Sequence, residues 1–231
     1  MWIGKTSIAN FKQKSCWKVD FFCEEEANIL SSAFQLMPLG EIVKERKEKT
    51  DPQANPDKLI NYIGLENIQS LTGDLVKFSP KYGREIRSTS KVFHEGDILY
   101  GRLRPYLNKV YLAEKPISDG ICSGEFYVLN PNLEIVLPNF LRTLLASEYV
   151  QKYARKWQTG SALPRLRLQD LLGIEIPLPP VEIQQEYESF LIQKKVFRRK
   201  LAAQLSELPQ KVMETVIQSL EYGEKPLDFS R

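Results

Sequence analysis

Lysine and arginine are the residues grouped densely enough in this chain to do chemistry, and the chemistry they offer is anion binding. Lys77, Lys81, Arg84, Arg87, Lys91, Arg102, Arg104 and Lys109 follow one another with Tyr82 and Tyr106 interleaved, opposed only by Glu85, Glu95 and Asp97. A second group, Lys152, Arg155, Lys156, Arg165 and Arg167, contains no acid. The net charge of +3 is too mild to imply nucleic acid by itself, so the distribution carries the inference. It predicts a localised anion-binding face, with a DNA groove as the specific reading and ordinary solvated charge as the alternative. Arginine suits bidentate contact with guanine, and Asn108, Gln158 and Ser161 offer further hydrogen bonds to bases or phosphates.

Residue sets that catalyse or hold metal are missing. There is no phosphate-cradling glycine loop, no H-E-x-x-H, no G-x-S-x-G and no dinucleotide fingerprint. The Asn/Asp-Pro-Pro-aromatic motif that amino-methyltransferases resemble one another in carrying is absent too. A nuclease-like Glu-x-Lys at Glu45–Lys47 sits in a charged run and is expected to be solvated surface. His94, the single histidine, is expected at a turn, and Cys122 as a small buried residue. Cys16, Cys23 and Cys122 form no CxxC pair, so neither a disulfide framework nor a thiolate zinc site is expected, and a reducing cytoplasm fits. No apolar run approaches the ~20 residues that span a bilayer, and the start lacks a secretory signal's apolar block, which predicts a soluble, unprocessed chain. The expectation is a protein that is not an enzyme alone and holds no metal or cofactor.

Two kinds of element must position the basic residues. Residues 1–36 are expected to be an N-terminal segment with a helix over its second half, after the acids Glu24–Glu26. Residues 38–56 hold a short apolar piece and then a polar run, expected as an exposed loop. Strand signals then dominate: Leu59–Ile63, Leu75–Phe78, Val92–Phe93, Asp97–Tyr100, Val110–Leu112 and Glu125–Leu129, punctuated by glycine, proline and aspartate. Asn139–Trp157 has helical periodicity, followed by an arginine-bearing loop, a short helix near Leu168–Leu172 and a strand Ile174–Ile176. The fold class is α+β: a mixed-sheet domain over residues 37–180 and a long helical, coiled-coil-forming segment over 181–231.

Pro179-Pro180 marks the junction, since proline ends a strand and is tolerated in a helix's first turn. Beyond it Ile183, Tyr187, Phe190, Phe197, Leu201, Leu205, Leu208, Val212, Val216 and Leu220 recur every three or four places, with Lys194 as the one charged break. Pro209 is expected to kink this helix or restart it. The stripe should meet another long helix, the alternative being packing on its own body.

Four segments, in order, resemble motifs of the DNA specificity subunits of type I restriction-modification systems. They are Tyr62-Ile63-Gly64-Leu65-Glu66-Asn67-Ile68, then Gly96-Asp97-Ile98-Leu99-Tyr100-Gly101-Arg102-Leu103-Arg104-Pro105, then Gly120-Ile121-Cys122-Ser123-Gly124-Glu125-Phe126, then Ile174 to Gln185. The tail Leu208-Pro209-Gln210 fits as well. The resemblance implies a target-recognition domain that reads a few base pairs of double-stranded DNA, followed by a spacer helix. Members of that family typically carry two such domains joined by two antiparallel helices. This chain has one of each and looks like a half-subunit, so the resemblance implies a homodimer or pairing with a second half, through Tyr187, Phe190, Phe197, Leu201, Leu205, Leu208, Val212 and Val216. It also implies a methyltransferase partner, which would bind the S-adenosylmethionine, with a restriction endonuclease as a further partner. By position, Arg102, Arg104, Arg165 and Arg167 are the expected base readers. Lys81, Arg84, Arg87 and Lys109 are the expected phosphate contacts, with Tyr106 beside them and Gly101, Gly120 and Gly124 serving backbone geometry.

Overall fold

Short apolar runs cut off by glycine, proline or aspartate become short strands in the computed structural model, which describes residues 33–222. First come β1 (Leu36–Pro38), the single-turn helix α1 (Leu39–Ile42), β2 (Val43–Glu45), β3 (Lys49–Thr50), β4 (Leu59–Ile60) and β5 (Tyr62–Ile63). Next are β6 (Lys81–Tyr82), β7 (Ser90–Phe93), β8 (Ile98–Gly101), β9 (Val110–Leu112), β10 (Gly120–Cys122) and β11 (Phe126–Pro131). Helices α2 (Pro138–Leu145), α3 (Glu148–Trp157) and α4 (Leu168–Leu172) follow, then β12 (Glu175–Pro177) and the long helix α5 (Val181–Tyr222). The fold is α+β, with mixed sheets ahead of a long helix.

The centre is the antiparallel sheet β2-β11-β8-β9. Side chains alternate across a strand, so each of its central strands serves two cores. Ile98, Tyr100, Val110, Leu112, Tyr127 and Leu129 enter one, against Leu141, Leu145, Val150, Ala154 and Leu171 of the helices. Leu99, Tyr111, Phe126 and Val128 enter the other, against Ile63, Phe93 and Cys122 of a second sheet, β3-β7-β10-β5. In that second sheet β5 runs parallel to β10 and the other pairs are antiparallel. A one-residue slip would move every such side chain to the wrong core, each worth ~1.5–3 kcal/mol when fully buried, so register is set from both faces. The antiparallel pairs β1–β12 and β4–β6 are separate and small.

Several expectations need correction. The N-terminal helix lies outside the described residues except for 33–36, which are not helical, and Leu36 opens β1 opposite Pro177. Leu59–Ile63 is two strands rather than one, because β4 pairs with β6 and β5 with β10. Between them Asn61 turns aside, its carbonyl accepting from Ile121 N and its side chain donating to Asp119 O. Leu75–Phe78 is no strand: Lys77 has φ 50°, and the Asn67 amide clamps the loop by donating to Lys77 O at 3.1 Å. Asn139–Trp157 breaks into α2 and α3 where Ser147 caps α3, its hydroxyl accepting from Val150 N. The polar run after Val43 is partly ordered as β2 and β3, and Glu45 is an ion-paired strand residue, 2.9 Å from Lys91, rather than solvated loop.

Two compact units divide at Gln185/Glu186, so the first turn of α5 belongs to the first. Gln184 explains that placement. Its side chain is fully buried, accepts from Leu137 N and donates to Ile135 O and Pro179 O. In the second unit α5 continues as one helix through the exposed Pro209 and does not restart there. Solvent can satisfy the carbonyl that a single proline leaves without its N–H. The helix is 42 residues, or ~63 Å at 1.5 Å per residue. Tyr187, Phe190, Phe197, Leu201, Leu205, Leu208, Val212 and Val216 are each 43% to 65% exposed along it. Among the described residues no helix is long and apolar enough to cross a membrane.

Candidate nucleic-acid interface

The end of β8, the start of β11 and the loop ahead of α4 converge through the backbone. Arg102 N donates to Glu125 O (2.9 Å), Leu166 N to Arg102 O (3.0 Å) and Arg104 N to Pro164 O (2.7 Å). Thr159 and Arg165 exchange N–H to C=O bonds at 2.8 Å, closing a loop whose tip, Ser161–Leu163, is exposed. The Tyr127 hydroxyl, on the neighbouring strand, donates to Leu166 O at 2.9 Å. Arg102 and Arg104 of the first basic group and Arg165 of the second, some 60 positions apart in sequence, are thus brought together.

At its centre stands an acid, Glu125. Arg165 donates to it from Nε (3.1 and 3.2 Å) and Nη2 (2.7 Å), while Arg102 Nε lies 3.9 Å from its Oε2. The hydrogen bonds from Arg165 hold the Glu125 carboxyl below the usual carboxylate range, and the same contact raises Arg165. The Arg102 guanidinium stacks on the Tyr127 ring at 5.2 Å, as does the Lys91 ammonium, also at 5.2 Å. Buried Nε of Arg102 finds no hydrogen-bond acceptor among the described residues.

The remaining basic residues are distributed around this centre. Arg104 is exposed, with φ 48°, ahead of the 3₁₀ turn Pro105–Leu107 that leaves Tyr106 exposed. Lys109 is committed to the fold, donating from Nζ to Leu65 O at 2.6 Å. Arg167 forks onto Asp170 (2.6 and 2.9 Å) at the start of α4. Gln158 caps the C-terminus of α3. Lys81 and Arg84 sit at the β4–β6 pair, Lys81 over the Tyr62 ring (4.9 Å) and Arg84 over Tyr82 (4.6 Å) while paired with Asp57. Arg87 is exposed nearby. Tyr62 links this patch to the centre through Ser123, whose hydroxyl accepts from Glu125 N at 3.3 Å.

Three side chains that organise this surface or the fold beneath it escaped sequence reasoning. Glu125 was legible only as the start of a strand, since no Lys or Arg stands between Lys115 and Arg142 to mark it as the partner of a basic group. Asp97 lies fully buried and accepts from Arg46 Nε (2.7 Å) and Nη2 (3.1 Å), Asn130 Nδ2 and His94 N. It locks β2, β8 and β11 and stands inside the fold rather than on the basic face. Gln184 is the third. Of the glycines, Gly101 and Gly120 approach backbone closely, a Cβ meeting Lys109 O at 3.2 Å and Asn61 O at 2.4 Å respectively. Gly124 has open space and no such constraint, against expectation. His94 does sit at a turn, 3.0 Å from Asp119, and burial pushes the Cys122 thiol up to about 12. Among the described residues no acid, cysteine and histidine group could hold a metal ion.

Comparison with known proteins agrees with this geometry. The type I restriction modification DNA specificity domain matches residues 31–206. The chain is 28% identical over 125 residues to the type I restriction enzyme EcoDI specificity subunit of Escherichia coli, covering 54% of this chain and 27% of that protein. It is 26% identical over 151 residues to the HindI specificity subunit of Haemophilus influenzae, covering 64% of this chain and 32% of that one. The crystal structure of the HsdS subunit from Thermoanaerobacter tengcongensis superposes with a TM-score of 0.63 at 28% identity, over 80% of this chain and 48% of that one. The chain therefore spans about half the length of this solved relative and about a quarter to a third of the other two. With the sheets, the basic residues of the loops and the first part of the long helix inside the matched span, the chain belongs to the family of type I restriction-modification DNA specificity domains.

Proposed function

We propose that this chain is a non-catalytic, sequence-specific DNA-binding subunit that reads one half of a bipartite site. The observation that carries the reading is the convergence of Arg102, Arg104 and Arg165 on one surface from loops anchored in a doubly packed sheet. Loops on a rigid scaffold are where recognition residues belong, and arginines among them supply donors for guanine and phosphate. The exposed stripe of α5, from Tyr187 to Val216, supports pairing with a second such helix, from a second copy or another half. Two identical halves would have two-fold symmetry and read an interrupted palindrome whose gap follows the helix length. Chemistry would reside in partners: a methyltransferase that binds S-adenosylmethionine and, in a restricting complex, an endonuclease. The names of the relatives, all specificity subunits of type I restriction systems, support the same assignment.

The test is methylome mapping in cells that express the chain with a cognate methyltransferase. The expected result is methylation at an interrupted palindrome that appears only when the chain is present. Methylation independent of the chain, or at a continuous site, would refute the reading.

A further inference from the structure

Glu125 is an acid held at the centre of a basic surface, and its geometry is more elaborate than neutralisation needs. Arg165 gives it three contacts within 3.2 Å through one edge of its guanidinium, and Arg102 flanks the other side at 3.9 Å. The three side chains are 30% to 36% exposed, so a ligand can reach all of them while the protein presets their arrangement. A carboxylate has about four lone-pair sites, and Arg165 occupies three, two on Oε1 and one on Oε2. The unspent capacity is on Oε2.

The two arginines are not equivalent. Arg165 has Nε and Nη2 committed to Glu125. Arg102 is held by its face, stacked on Tyr127, and its buried Nε makes no hydrogen bond to a described residue. Stacking on an aromatic face leaves the edge of a guanidinium available for bidentate donation. Because Nε is buried while the side chain as a whole is 33% exposed, the terminal guanidinium nitrogens are the donors that Arg102 offers a ligand.

A donor edge beside a fixed acceptor matches one base pair in the major groove. Guanine offers two acceptors, O6 and N7, and cytosine offers the N4 amino donor. Resting on the DNA-reading proposal above, we propose that these residues form one specificity-determining set for a G·C pair. Arg102 donates to guanine O6 and N7, and Glu125 accepts from cytosine N4. Arg165 is a positioning residue that fixes the carboxylate. The same carboxylate repels phosphate oxygens, so the surface favours a base edge over unspecific backbone contact.

The experiment uses the full chain with its methyltransferase, a pool of random-sequence duplexes, and sequencing of the bound fraction. Wild type is expected to enrich a half-site in which one G·C pair is relaxed by Arg102→Ala. Glu125→Gln, which keeps the side-chain shape, should lose roughly ten-fold of the preference at that same pair and admit adenine there, since an amide pairs with adenine. Arg165→Ala should relax the same position, and Glu125→Gln with Arg165→Ala should relax it no further than Glu125→Gln alone. A purely structural role for Glu125 would lower binding at all positions together and leave base preferences intact. That outcome, or relaxation at a pair different from the one Arg102 controls, overturns the proposal. If wild type enriches no sequence, the DNA-reading proposal itself falls and this one with it. If wild type enriches a half-site that Glu125→Gln and Glu125→Ala both preserve, only the present inference falls.

Discussion

Arg46→Ala removes the partner of a carboxylate that has no access to water, and its cost can be worked from the contacts. Asp97 is 0% exposed and receives four donors, two of them from Arg46 at 2.7 and 3.1 Å. Removing one member of a buried ion pair typically costs ~3–5 kcal/mol, because a buried charge is left uncompensated. Two neutral donors remain here, from Asn130 and the His94 backbone, and the Arg46 side chain was already 26% exposed. The lower end applies, about 3 kcal/mol. At roughly 2–4 °C per kcal/mol for a domain of this size, the melting temperature should fall by about 6–12 °C. Asp97→Ala leaves Arg46 able to turn to water but strands two donors, for about 2 kcal/mol. The assay is chemical denaturation of the full chain followed by circular dichroism, for both single variants and the double. Since the partners touch, the double variant should cost less than the sum of the singles by about 1 kcal/mol or more. Single variants within ~0.5 kcal/mol of wild type, or strict additivity, would refute the account of Asp97 as a lock.

A glycine series separates close approach from mere motif membership. Gly120→Ala puts a Cβ 2.4 Å from the Asn61 carbonyl, forcing β10 from β5, and should destabilise by ~1–3 kcal/mol, whereas Gly124→Ala, facing open space, should change little in the same melts. Acid unfolding tests the Glu125 contact. Its folded carboxyl titrates below its unfolded value, so its contribution is fully present above about pH 4.3 and is lost as pH falls through the folded value. Stability profiles from pH 6 downward should therefore fall less steeply for Glu125→Gln than for wild type, and identical acid limbs would count against the contact.

Elements whose local chemistry agrees with their tertiary role were legible in the sequence. Val110–Leu112 and Leu168–Leu172 fall where expected because apolar residues and flanking breakers coincide there with real packing. The start of α5 at Val181 follows from Pro179-Pro180. Illegible were the places where a distant partner decides. Leu59–Ile63 reads as one apolar run, yet nothing within it says that its halves pair with different strands. Leu75–Phe78 has strand composition, but Asn67 reaches across to bend it. Basic residues could be counted, whereas which arginine is spent on an acid could not, since Arg165 meets Glu125 only after folding brings positions 40 apart together.

That last point bears on how such a surface works. Charge counting treats Arg84, Arg165 and Arg167 as equals of Arg102 and Arg104, yet the first three are hydrogen-bonded to Asp57, Glu125 and Asp170, whereas Arg102 only approaches Glu125 at 3.9 Å. An arginine already forked onto a carboxylate cannot fork onto a base without breaking that pair, which costs what the new contact contributes. On the proposed reading, selectivity then comes from the few donors and acceptors that folding leaves poised, and affinity from the rest. The poised groups lie on loops outside both cores, while Asp97 and Gln184 hold the scaffold from inside. Substitution at Arg104, Ser161 or Leu163 can therefore alter what is read at little cost to folding, because no core side chain depends on them. Substitution at Asp97 or Gln184 changes folding first, and any loss of binding it brings reports the scaffold rather than the reader.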